Sequence, residues 1–425
     1  MGHRYQVDGG ICMMSRRRST GPAGPSLLKE INRMLILNAL RDGEPKSRAG
    51  IANSLGLSKP TVSALVAELI EHGFVVESDS PSTTGNPGRR PVLLHISPEM
   101  GGIISAKLGV AFVKAAVFNI NQVMVSRSMK PIPPRSEAQS AVSHFLDVVR
   151  SVVEPAIAES GLTRFSGLGI GIDGTVDPAS GVLKGSPYHP AWNGIAVRDV
   201  LQREFGVPVF VENGVNVGAL GEGYAHRGSA RNLVTVNVTH TVTAGLIVDG
   251  ELYRATTNSV GEIGHVRVTD KQVPCVCGNT GCLTAMASEA AVVRLAEDAL
   301  RAGNTDTRIA EPTVPAVLEA AAKGDCEAHR ILGEVGKYLG FALSGIANFL
   351  NPDVIVVDGR IIRESEVVYD AALEAFRSRP LPHFATGVSI VPSTLKGDAS
   401  LVGASMLVLE QVFAPPVLGP FEIRS

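Results

Sequence analysis

Gly261-Glu262-Ile263-Gly264-His265, followed by Cys275-Val276-Cys277-Gly278-Asn279-Thr280-Gly281-Cys282, is the stretch around which the rest of this chain is read. One imidazole and three thiolates form a complete tetrahedral donor set for zinc, with no position left open for a catalytic water. Gly278 and Gly281 allow turns tight enough for three sulfurs to converge on one ion. Ordinary buried cysteines, or a disulfide plus a spare, fit three cysteines in eight residues poorly. The expectation is therefore a structural zinc held by His265, Cys275, Cys277 and Cys282 in a loop spanning 261–284. A closed site of this kind says more about kinship than about a reaction.

Outward from this loop, composition narrows the class. A length of 425 residues suggests about two to three domains. The chain is 44% hydrophobic and 5% aromatic, which suits Ala/Val/Leu/Ile cores of α/β type. A formal charge of −2 implies no global attraction to nucleic acid or membrane, so such a site must be local. Cys12 and Cys326 match no pairing pattern, which is cytosolic usage and not a disulfide framework. Arg16-Arg17-Arg18 is followed by no apolar segment, so the start does not read as a signal peptide. No apolar run is long enough to span a bilayer. Residues 1–25, rich in Gly, Ser, Arg and Pro, read as a disordered arm, and the expected location is cytoplasmic, on the nucleoid.

Residues 26–97 change character. Leu27, Ile31, Met34, Leu35, Leu37 and Leu40 mark an apolar helical stripe. Ser47 is placed to cap a second helix stopped by Gly56. Ser58 is placed to cap a third, with Pro60 tolerated in the first turn. That helix carries Val62, Leu65, Val66, Leu69 and Ile70 inward and ends at Gly73. Two strands with a polar tip between Ser78 and Arg90 follow. Two short helices joined by a tight turn have helix-turn-helix geometry. The exposed start of the second offers Ser58, Lys59, Thr61 and Ser63 for phosphates and base edges. Arg89 and Arg90 sit on a wing tip suited to the minor groove. Residues 26–100 carry eight Lys/Arg and eight Asp/Glu, so charge alone does not exclude a packing module. The placement of basic and hydroxyl groups favours double-stranded DNA.

Beyond residue 98 the pattern alternates strands (113–119, 167–172, 207–212, 234–238, 354–357) with helices (138–159, 194–205, 214–226, 286–302, 326–350). This is an α/β architecture, read as two lobes with a cleft.

The motifs G-L-G-I-G-I-D-G-T-V-D-P (167–178), V-P-V-F-V-E-N-G-V-N (207–216), E-I-G-H (262–265), C-x-C-G-x-x-G-C (275–282), N-P-D-V-I-V-V-D-G (351–359) and D-A-S-L-V-G-A (398–404) occur in one order. In this the chain resembles the ROK family of repressors, open reading frames and sugar kinases, from about residue 26 to 410. The winged helix resembles the repressor branch. The resemblance implies an actin-like (ribonuclease H-like) two-lobed sugar-kinase fold over 98–425, preceded by a winged helix-turn-helix.

The departures from the kinase pattern are functional. Where ROK kinases carry a D-x-G-G-T phosphate loop, this chain has Lys107-Leu108-Gly109-Val110-Ala111. The second loop, usually G-T-G-I-G-x-G, is Thr239-His240-Thr241-Val242-Thr243-Ala244-Gly245, with β-branched residues in place of glycines. Asp358-Gly359 puts a carboxylate where a nucleotide should pass. In E-N-D-x-N the Asp is the general base; here the run is Glu212-Asn213-Gly214-Val215-Asn216. Phosphoryl transfer needs positioned phosphates and a base in reach of the acceptor, so no catalytic residue is assigned. Asp173, in a place where the family often has Pro, is expected to serve a loop or cap.

By resemblance, Asn213, Glu262 and His265 would bind sugar hydroxyls, His265 while also ligating zinc. A further family Glu is replaced by Thr284, leaving the hexose contact set incomplete. Trp192, the only tryptophan, either lines the cleft or packs the lobe. The expectation is a regulator, a repressor of sugar-metabolism genes, working as a homodimer or dimer of dimers with a sugar or sugar-phosphate effector. A sugar kinase with an added DNA-binding domain, and a regulator answering to a protein partner, are the alternatives.

Overall fold

The computed structural model describes residues 25–41, 45–79, 92–97, 101–255, 260–303, 307–378 and 387–413. The expected N-terminal arm up to residue 24 and the wing tip with Arg89 and Arg90 lie outside them.

The helix-turn-helix forms where cap chemistry places it. Helix α1 (Pro25–Arg41) is followed by a short strand β1 (Lys46–Ser47). Helix α2 (Arg48–Leu55) starts on Ser47, whose side chain accepts from Gly50 N, and stops on Gly56 at φ 65°. Helix α3 (Lys59–Glu71) is capped by Ser58, which accepts from Thr61 N. Strands β2 (Val75–Asp79) and β3 (Val92–Ile96) complete a three-stranded sheet in the order β1-β3-β2. Val62, Leu65, Val66 and Leu69 are buried on the inner face of α3, each stabilising by about 1.5–3 kcal/mol. In α1 the buried set is Met34, Ile36, Leu37 and Leu40, while Leu35 is exposed. Met34, Leu37 and Leu40 of the expected stripe are buried, while Ile36 takes the inward place expected of Leu35.

Two compact units divide the chain: 1–172 with 177–212 and 404–425, and 173–176 with 213–403. In the first, β4 (Gly102–Leu108), β5 (Phe112–Asn119) and β6 (Met124–Pro131) form an antiparallel meander. Helix α4 (Ala141–Ser160) follows, then β7 (Phe165–Ile172), which returns parallel to β4. After β8 (Thr175–Asp177), β9 (Val182–Gly185) and α5 (Val197–Phe205), β10 (Val209–Asn213) completes the order β10-β7-β4-β5-β6. Trp192 packs this unit and is 1% exposed. Its Nε1–H donates to His144 Nδ1 at 3.2 Å, and its ring stacks on His189 with centroids 4.2 Å apart. His144 Nε2–H donates to Pro133 O and His189 Nε2–H to Gly109 O. Of the two readings of Trp192, packing is the one observed.

The second unit repeats the pattern. Helix α6 (Gly214–Ala225) leads to an antiparallel meander of β11 (Leu233–Val238), β12 (Val242–Val248) and β13 (Glu251–Leu252). Next come α7 (Leu283–Ala287), α8 (Glu289–Arg301), α9 (Val314–Ala322) and α10 (Cys326–Leu350). Strand β14 (Val354–Asp358) is parallel to β11, and after α11 (Arg360–Arg363) and α12 (Glu366–Arg377), β15 (Ser389–Pro392) is parallel to β14. The order β13-β12-β11-β14-β15 mirrors that of the first unit. The last described helix is α13 (Ala399–Val412), followed by Phe413. The expected helix 286–302 is interrupted at Ser288, which caps α8 by accepting from Ala291 N.

Candidate metal centre and nucleic-acid interface

Close backbone packing builds the metal loop. Gly261 has φ 74°, and a Cβ there would fall 1.5 Å from Ala244 O, so this turn onto β12 requires glycine. A 3₁₀ turn, Ile263–His265, then sets the imidazole. The chain folds back on itself through antiparallel bridges Arg267–Cys282 and Pro274–Thr280. Cys275 N–H donates to Asn279 O at 2.8 Å, and Gly281 N–H to Val273 O at 2.9 Å. Gly281, at φ 70°, lies against Thr269 O, where a Cβ would approach to 2.3 Å.

The four side chains named from sequence converge. Their donor atoms lie within 4.8 Å of one another. His265 Nδ1 is 3.6 Å from Cys275 Sγ, and Cys277 Sγ is 3.7 Å from Cys282 Sγ. A tetrahedron with metal–sulfur bonds near 2.3 Å has edges of about 3.8 Å, so the cluster fits such an ion. Burial raises the Cys282 thiol pKa, while the Asn279 backbone hydrogen bond lowers that of Cys277. A bound cation would favour both thiolates. With Nδ1 turned into the cluster, His265 Nε2 faces Glu262, 4.0 Å from Oε2.

The residues linked to a sugar site divide. Glu262 and His265 are brought together, and the Glu262 carboxylate is exposed. Asn213 is the N-cap of α6: its Oδ1 accepts from Val215 N at 2.7 Å and Asn216 N at 3.4 Å, and its Nδ2–H donates to Gly174 O at 2.7 Å. Strand β12 lies beside both pieces, with Gly245 against Val215 O and Ala244 N–H donating to Gly261 O. Thr284 is buried, and its hydroxyl accepts from Val242 N at 3.2 Å. The Thr284 hydroxyl is thus engaged with the first residue of β12.

The segments 107–111 and 239–245 are closed by their own bonds. Gly109 N–H donates to Phe112 O, making a hairpin between β4 and β5, and Lys107 pairs across it with Lys114. Thr239 N–H donates to Thr241 O, and His240 Nδ1 lies 3.5 Å from Glu289 Oε2. Asp358 is bound by Arg363 and by Gly359 N–H.

In the winged helix, Ser58, Lys59 and Ser63 are exposed and Thr61 is half-buried. Ser58 Oγ lies 2.7 Å from Thr61 Oγ1, so these two hydroxyls are hydrogen-bonded to each other. Sequence reading missed Glu68 on α3, which is gripped by Lys29 at 2.6 Å and by Arg33. It also missed Arg48, 2.7 Å from Glu77 of β2. The i, i+4 spacing of Lys29 and Arg33 was the available signal for a cation pair on one face; its partner was not predictable without packing.

The ROK family profile matches residues 103–411, and the MarR family profile matches residues 30–83. The chain is similar to the xylose repressor of Caldicellulosiruptor bescii, 28% identical over 398 residues covering 92% of this chain and 98% of the relative. It is also similar to the DNA-binding transcriptional dual regulator NagC of Escherichia coli K12, 28% identical over 390 residues, 90% of this chain and 93% of the relative. A solved structure described as a ROK family transcriptional regulator, homologous to the E. coli MLC protein, shares the fold. It aligns with TM-score 0.77 at 24% identity, covering 91% of this chain and 97% of that one.

Proposed function

The chain belongs to the ROK family, and from that premise we propose that it is a DNA-binding transcriptional repressor of sugar metabolism whose kinase-like body no longer performs catalysis. The observation that carries the reading is α3: capped by Ser58, buried along one face, and presenting Lys59 and Ser63 to solvent at its start. A helix so displayed suits the major groove, with one recognition helix per half-site in a dimer. The similarity to a xylose repressor and to NagC supports the same assignment. Catalysis is disfavoured by Gly214 at the place of the general base and by the self-bonded loops 107–111 and 239–245.

His265, Cys275, Cys277 and Cys282 would hold a zinc ion in a structural role. Bound there, it supplies cross-linking and not Lewis-acid chemistry, because four protein donors complete the coordination. With zinc bound, the turn from which Glu262 and His265 Nε2 project would be held in place. A sugar or sugar phosphate is the proposed effector, acting by unequal affinity for two conformations. Asn213 enters this site as a backbone organiser, since its amide is committed to α6 and Gly174.

The deciding experiment is selection of bound fragments from genomic DNA with purified, zinc-loaded protein. An enriched palindrome is expected; no enrichment with or without candidate sugars would defeat the reading. Assay with ATP and a hexose panel is expected to give no phosphorylation above the blank.

A further inference from the structure

Helix α13 carries contacts that neither the metal centre nor the recognition helix uses. It runs unbroken from Ala399 to Val412 and is followed by Phe413, which is 2% exposed. The Phe413 carbonyl accepts a hydrogen bond from Asn38 Nδ2 at 3.0 Å, across 375 positions of sequence. The Arg41 guanidinium lies over the Phe413 ring, 5.5 Å from its centroid. Asn38 and Arg41 are one turn apart on α1, flanked by buried Leu37 and Leu40.

The helix receiving α1 is itself immobilised on the body. Gly169 of β7 approaches Ala404 so closely that a Cβ would fall 1.8 Å from its carbonyl oxygen. Gly167 packs on Val408, and Ser405 Oγ lies 2.5 Å from Gln122 Oε1. At its other side, α1 grips α3 through Lys29 and Arg33 on Glu68. So α1 is bonded both to the residue that ends a helix seated on the sheet of β7 and to the helix proposed to read DNA.

We propose that Asn38, Arg41 and Phe413 are positioning residues that lock the winged helix to the end of α13, so that the recognition helix is presented in a fixed orientation. A winged helix on a free tether would accept many half-site separations, because a flexible linker samples a broad range of distances. One held by a buried contact selects a narrow range. The consequence for spacing rests on the DNA-binding reading; the lock itself does not.

The test uses the full-length, zinc-loaded chain with Cys12→Ser and Cys326→Ser, spin-labelled through Glu71→Cys and Val125→Cys. A narrow distance distribution is expected in this parent. Phe413→Ala, and separately Asn38→Ala with Arg41→Ala, should broaden it while Phe413→Tyr restores it. Variants as narrow as the parent, or a parent already broad, would overturn the proposal. So would a drop in melting temperature without broadening, which is the mark of a merely structural role. On the selected operator, inserting two base pairs between half-sites should cost the parent about ten-fold in affinity and the variants far less. Equal spacing selectivity would also overturn it. If no protein binds DNA while the distances respond as expected, the regulator reading falls and the lock stands.

Discussion

At the residue scale, the metal loop gives up its logic one contact at a time. Cys277 is exposed and Cys282 buried, yet both reach the same centre, because the first comes from a turn and the second from the N-cap of α7. Cys277→Ser is expected to abolish stoichiometric zinc and lower the melting temperature, as a site closed by four donors loses affinity steeply with one of them. Metal analysis and calorimetry check both; retained zinc would remove the structural role. Gly261→Ala should destabilise the same loop with all four ligands intact, since its Cβ cannot coexist with Ala244 O. Thermal denaturation should show the loss, typically of about 1–3 kcal/mol for a strained backbone position.

At the element scale, α3 and α6 are both defined by their first residues. Ser58→Ala should cost about 1 kcal/mol of winged-helix stability through loss of the cap, measured by chemical denaturation. Helix α6 holds a different tension. Glu222 is buried, and burial, reinforced by the Asp358 charge and opposed by the Ser393 hydroxyl bond, raises its pKa from 4.5 to about 7. Its Oε2 faces His226 Nε2 at 4.0 Å. A raised folded-state pKa means that the contribution is fully present below 4.5 and lost as pH rises through about 7. Above that pH the cost reaches about 3 kcal/mol. Glu222→Gln should therefore raise stability at pH 8 much more than at pH 5. Melting curves at the two pH values decide it, and equal shifts would refute the assignment.

At the scale of the whole molecule, two five-stranded sheets of the same strand order are each built from distant segments, and a helix near the C-terminus meets one near the N-terminus. Removing zinc with a chelator is expected to leave the winged helix folded, because its core of Met34, Leu37, Val62, Leu65 and Leu94 contains no metal ligand. Hydrogen exchange should rise around 261–287 and not around 59–71; uniform loss of protection would contradict this.

Much of this protein was legible in the linear chain because the determining physics is local. Ser47 and Ser58 each satisfy an amide three residues away, and the four candidate metal donors fall between 265 and 282, so their spacing singles them out. The kinship motifs likewise carried the body's architecture. Other features depend on partners far apart in sequence. Helix α13 is apolar on nearly every face and therefore lacks the amphipathic rhythm that marks a surface helix. The sequence marked Thr284 as a missing carboxylate, but only packing turned its hydroxyl onto Val242. Trp192 had two readings until His144, Phe145 and His189 closed around it. The seat of Phe413 on Asn38 and Arg41 has no local signal at all, because that contact exists only once the chain has closed on itself.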